Sequence, residues 1–146
     1  MRVQSQITVN RPSDQVFAAI TDANITTKWA SATERSWWVT PPPDGVGSVR
    51  RATGTVMGQP FENEAKVIEH DPPRRQVMSG QESGVKFQVA LDFVPEADGT
   101  HITVTSDIQL SGGMRFLGPM ISHKYRQMWD VDLAAFKRMM EAGELP

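Results

Sequence analysis

The chain has 146 residues, 39% of them hydrophobic, with 15 Lys+Arg against 17 Asp+Glu and no Cys. That length suits one domain, 1–146, able to bury a real core. A net charge of −2 gives no electrostatic reason to expect nucleic acid or an anionic membrane surface as partner. Without Cys there are no disulfides and no thiolate chemistry. The opening Met1 to Gln6 is polar and lacks an apolar signal core, and no window reaches the roughly 18 apolar residues of a membrane span. The expectation is a cytoplasmic protein, monomer or homodimer.

Val3, Ser5, Ile7 and Val9 alternate with polar neighbours and predict a half-buried first strand. Asn10-Arg11-Pro12-Ser13-Asp14 breaks that period, and either Asn10 or Ser13 suits the cap of a short helix carrying Val16, Phe17 and Ile20. A second short helix is expected through Ile25 to Trp29. Thr33 to Thr40 reads as a strand with Trp37 and Trp38 on opposite faces, closed by the loop Pro41-Pro42-Pro43-Asp44-Gly45.

The β pattern returns over Gly47 to Val56 and Phe61 to Glu69, joined by Met57-Gly58-Gln59-Pro60. Asp71-Pro72-Pro73 predicts a turn, and Gln76 to Gly80 a short strand after it. Val85, Phe87, Val89, Leu91 and Phe93 make the cleanest period of two in the chain. A hairpin loop at Glu96 to Thr100 leads to a partner strand with Ile102, Val104, Ser106, Ile108 and Leu110 on one face.

Between Pro119, suited to a helix start, and Gly143, suited to a left-handed stop, no other Gly or Pro interrupts the chain. Met120, Ile121, Tyr125, Met128, Trp129, Leu133, Ala135, Phe136, Met139 and Met140 recur there at helical spacing. About seven strands with short connections imply an antiparallel sheet. Its apolar face and the helix's apolar face bury each other best as an α+β domain. A strongly twisted sheet curled around such a helix can leave a cavity along the contact.

Few residues suit chemistry. His70, His101 and His123 fall on a turn, a strand and a helix without ligand spacing, so neither a metal nor a cofactor is expected. Glu62 and Glu64 share a strand face with Lys66, which reads as solvated. Of the adjacent Arg50 and Arg51, one faces the helix: an inward Val49 implies Arg51, whereas Ala52 and Val56 argue for the opposite register. An inward Arg can pair a ligand carboxylate or phenolate. Asp132 falls inside the helix's apolar face, where an unpaired carboxylate costs several kcal/mol. It therefore needs a hydrogen bond across the core, or a cavity in which its raised pKa would suit a general base.

The segments ITVNRPSDQVFAAITD with the following Trp29, VIEHDPPRRQV, ADGTHITVTSDIQL and DLAAFKRMME resemble the START-like superfamily, in its polyketide cyclase/dehydrase-like (SRPBCC) branch. The resemblance implies a helix-grip fold: a curved antiparallel sheet of about seven strands wrapped around a long C-terminal helix, with two short helices after strand 1. It also implies binding of a small hydrophobic or aromatic molecule, including lipids, in an internal cavity. Facing and resemblance together make Trp29, Trp37, Phe87, Phe116, Met120, Tyr125 and Met128 the candidate ligand contacts, with Arg51 beside them. Where the relatives are enzymes the reaction is a cyclase-like ring closure, for which Asp132 is the one internal base candidate. Other relatives act instead as protein–protein regulators.

Overall fold

The structure is a computed structural model, and it describes residues 1–56, 58–82 and 85–146. Strands β1 (Arg2–Val9), β2 (Thr33–Trp38), β3 (Val49–Val56), β4 (Gln59–Asp71), β5 (Arg75–Glu82), β6 (Val85–Glu96) and β7 (Gly99–Gln109) form a single antiparallel sheet in the order β1-β7-β6-β5-β4-β3-β2. Helices α1 (Ser13–Ile20) and α2 (Thr26–Trp29) cross from β1 to β2, and α3 (Gly118–Glu141) closes the fold. This is the expected helix-grip arrangement. The strand joint proposed at Met57-Gly58-Gln59-Pro60 includes Met57, which lies outside the described residues.

Local chemistry explains the ends of the elements. At the end of α3, Gly143 has φ 73°, its N–H bonds the Met140 carbonyl at 3.1 Å, and the Glu144 N–H bonds that of Met139 at 2.9 Å. That pair of bonds satisfies carbonyls the helix leaves open, and only the left-handed residue allows it. The start of α1 differs from expectation. Pro12 is its cap residue and no side chain caps it. Ser13 Oγ instead lies 3.0 Å from Thr100 Oγ1, which donates to the Arg11 carbonyl at 2.9 Å, so the hydroxyl joins the loop to β7. The last hairpin is tighter than expected: Glu96 pairs with Gly99, leaving Ala97 and Asp98 as the turn, with Ala97 at φ 49°.

The core is concentrated at one end. Val9, Phe17, Trp29, Phe93, Ile102, Leu133 and Phe136 belong to one buried cluster where α1, α2 and the C-terminal half of α3 meet β1, β6 and β7. Phe17 meets Phe93 edge-on at 5.1 Å, and Trp29 meets Phe136 at 5.6 Å. A second, smaller cluster of Ala65, Val67 and Met78, with Trp38 and Phe87 against it, lies on β4 and β5.

Candidate functional site

The helix that grips the sheet does so along half its length. All the buried residues of α3, Asp132, Leu133, Phe136 and Met140, lie in its last ten residues. They pack on β1 and α2, and Lys137 Nζ fastens the same half by donating to the Thr8 carbonyl at 2.6 Å. Upstream, Ile121, Tyr125, Met128 and Trp129 are only half-buried, and Met120 is 50% exposed. The apolar stripe read from the sequence is therefore continuous in composition but divided in use. Its first half stays only partly covered.

The inner face of the sheet is fixed by register. Trp38 pairs with Arg50, Arg50 with Ala65, Ser36 with Ala52, and Ala52 with Asn63. Directly paired residues share a face, and Ala52 and Ala65 are buried, so Ser36, Trp38, Arg50 and Asn63 turn inward as one block. Each of the four holds a buried polar atom without a hydrogen-bond partner among the described residues: Ser36 Oγ, Trp38 Nε1, Arg50 Nε and Asn63 Oδ1. Most buried side-chain polar atoms in proteins find a partner. Trp29 Nε1, Ser106 Oγ and Trp129 Nε1 are likewise unpartnered among the described residues; the four on β2, β3 and β4 differ in sharing one patch of one sheet face.

Arg50 dominates the block electrostatically. Burial pushes its guanidinium below the ordinary arginine range, while the nearby Tyr125 phenol acts in the opposite direction. Tyr125 also lines a cavity of about 240 Å³ with Ser31, Ala32, Thr55, Val56 and Met128, which places an opening between α3 and the edge of β3. A larger cleft of about 720 Å³ lies at the far rim, bounded by Gln81, Lys86, Ile108 and Arg115. Its polar groups are on exposed residues, so the inward block is the better-built site.

Several expected contacts stand elsewhere. Arg51 points outward, bonding Glu64 at 2.9 Å with Glu62 at 3.6 Å, and Trp37 pairs with it on that outer face beneath the Arg35 guanidinium, 4.9 Å from the ring centroid. In both cases the neighbour in sequence, Arg50 or Trp38, is the inward residue. A strand's period of two makes a slip of one residue reverse every side chain, and Ala52 was the signal that fixed the true register. Phe116 is 89% exposed on the 3₁₀ turn Gly112–Leu117 that precedes α3, beyond the regular helix whose periodicity would have turned it inward. Trp29 sits in the main core, 6.3 Å from Trp129. Tyr125 and Met128 line the 240 Å³ cavity, Phe87 packs against the second cluster, and Met120 is exposed. Ser36, Trp38, Arg50 and Asn63 were missed as a set, because only strand pairing shows them to be neighbours.

Asp132 is 4% exposed and accepts the Ser31 N–H at 3.0 Å. Burial raises its pKa, and the Ser31 N–H and hydroxyl lower it in part. The bond ties α3 to the segment between α2 and β2. Glu62 and Glu64 are exposed. His101 lies 2.9 Å from both Thr8 Oγ1 and Gln6 Oε1 on the outer face. Among the described residues, no group of three or more His, Cys, Asp or Glu could hold a metal ion, and no helix is long and apolar enough to cross a membrane.

Comparison with known proteins agrees with this architecture. The START superfamily protein of Mycobacterium smegmatis is 17% identical and superposes with a TM-score of 0.84 over 97% of each chain. A protein of Thermus thermophilus is 16% identical, with a TM-score of 0.82 over 98% of this chain and 99% of that one. The Zhui aromatase/cyclase of Streptomyces sp. R1128 is 19% identical, with a TM-score of 0.79 over 97% and 93%. At such identities these likenesses describe the fold. No curated protein matches in sequence. The sequence pattern of the family described as "Polyketide cyclase / dehydrase and lipid transport" matches residues 1–141, and the chain belongs to that family.

Proposed function

We propose that the protein binds a small hydrophobic or aromatic molecule in the chamber between the N-terminal half of α3 and the inner faces of β2 to β6. The observation that carries this is the divided helix: its apolar stripe is buried downstream of Asp132 but only half-buried upstream. Unburied apolar surface facing inward is surface that a ligand can cover, at about 25 cal/mol per Å². Met78, Phe87, Tyr125 and Met128 supply an apolar wall, and methionine adapts its shape to what it touches.

Binding is favoured over turnover. A ring closure of the kind the Streptomyces aromatase/cyclase is named for needs a base that reaches the ligand. The internal carboxylate, Asp132, is already engaged by Ser31. The test is a thermal-shift screen of fused-ring aromatic and acyl-chain compounds, because a ligand that binds only the folded state raises its stability. A matching compound is expected to raise Tm in proportion to the logarithm of its concentration. A flat response across the screen sinks the reading.

A further inference from the structure

The sheet side of the chamber is divided: Met78 and Phe87 on β5 and β6 are apolar, whereas β2, β3 and β4 carry a polar block. On the sheet, Arg50 stands at the centre of the inward block, with Trp38 paired to it across β2, and Ser36 and Asn63 on either side of Ala52. Arg50 forms no ion pair among the described residues, whereas its outward neighbour Arg51 is held by Glu62 and Glu64. A guanidinium is the charged group least able to shed its proton, so it stays cationic where a lysine would neutralise itself. Arg50 is half-buried, with its Nε buried and unpartnered among the described residues, and a cation drawn partly out of water without an anion is costly. Trp38, opposite Arg50 on β2, and Ser36, two residues before it on the same face, carry an indole N–H and a hydroxyl that are also without partners among the described residues.

We propose that this block is an oxyanion subsite, and that the ligand is an aromatic acid: a fused-ring carboxylate or an acidic phenolate or enolate. Its rings fill the space under Tyr125 and Met128. Its anionic oxygen meets the Arg50 guanidinium, with the Trp38 Nε1–H as a second donor. Asn63 and Ser36 then bond a neighbouring hydroxyl or carbonyl. This rests on the chamber being a ligand site and specifies the chemistry it selects. A guanidinium–carboxylate pair is bidentate and charge-assisted, and it strengthens where water is excluded.

The experiment is calorimetric titration with benzoate, 2-naphthoate and anthracene-2-carboxylate, each against its uncharged carboxamide. The best-fitting acid is expected to bind about ten- to a hundredfold more tightly than its amide. Arg50→Met should bring the acid down to the level of the amide and leave the amide unchanged, while Arg51→Ala should alter neither. Arg50→Lys, which keeps a cation in place, should fall between. Equal affinity of acid and amide for the unaltered protein overturns the oxyanion subsite and leaves the chamber standing. If amides and acids both fail to bind, the chamber reading falls with it. Loss of acid binding in Arg51→Ala, with Arg50→Met unaffected, would place the recognising cation on the other face and refute the proposal.

Discussion

Asp132 distinguishes two kinds of buried carboxylate, and its substitutions separate them. The side chain is 4% exposed and accepts the Ser31 N–H at 3.0 Å. Asp132→Asn keeps an acceptor for that N–H and removes the charge. Asp132→Leu keeps the volume and strands the N–H, a loss of about 1–3 kcal/mol relative to the Asn variant. For a chain of this size, that corresponds to roughly 2–4 °C in Tm per kcal/mol.

The pH dependence carries a sign. Burial raises the folded-state pKa of Asp132 above its ordinary value of 3.8, so the folded protein binds more protons than the unfolded chain between those two values. Its contribution is complete below the unfolded value and is lost as pH rises through the folded one. Relative to Asp132→Asn, the native protein should therefore gain stability on acidification from neutral pH towards 4. Urea unfolding followed by tryptophan fluorescence over that range measures the difference. At neutral pH the Asn variant should be at least as stable as the native protein. An Asn variant as damaged as the Leu variant at neutral pH would show that the ionised form is favoured in place, against the burial argument. Unchanged ligand affinity in the Asn variant is also expected, since the carboxylate serves the α2–β2 connection rather than the chamber.

Other substitutions probe the frame and the site. Gly54→Ala would set a Cβ 1.9 Å from the Ala32 carbonyl oxygen, so thermal unfolding should register a loss of about 2 kcal/mol or more, whereas Gly113→Ala, with nothing within 4 Å, should stay within about 0.5 kcal/mol. Phe136→Ala, at a fully buried position in the main cluster, should cost about 3–5 kcal/mol by urea titration. Arg51→Leu breaks surface pairs whose side chains are 46% to 63% exposed, and should change stability by less than about 1 kcal/mol. In ligand-free protein, Arg50→Met removes a half-buried cation with no ion pair among the described residues and should raise Tm.

Much of the fold was legible because its signals are local. Alternation at Val85 to Phe93 and at Ile102 to Ile108 gave the central strands, and Pro119 and Gly143 bracketed α3. Position along the helix was less legible. The stripe from Met120 to Met140 is uniform in composition, yet only tertiary packing decides that Leu133 and Phe136 are core while Tyr125 and Met128 are half-buried. Face assignment was hardest at β2 and β3. There Trp37–Trp38 and Arg50–Arg51 offer the same residue type to both sides, so composition cannot choose. The choice follows from Ala52 and Ala65, buried residues whose pairing puts Arg50 and Trp38 on the same inner face. Phe116 was misplaced because it precedes the regular helix, where spacing rules no longer apply.

The four tryptophans provide a direct reading of the chamber. Trp38 Nε1 is buried on the inner face without a partner among the described residues, Trp129 lies on the gripping helix, Trp29 is in the core, and Trp37 is on the outer face under Arg35. A ¹⁵N NMR titration of the indole resonances with the tightest aromatic acid should move Trp38 most, Trp129 less, and leave Trp37 in place. A saturating shift at Trp37 with Trp38 unmoved would contradict an internal ligand site.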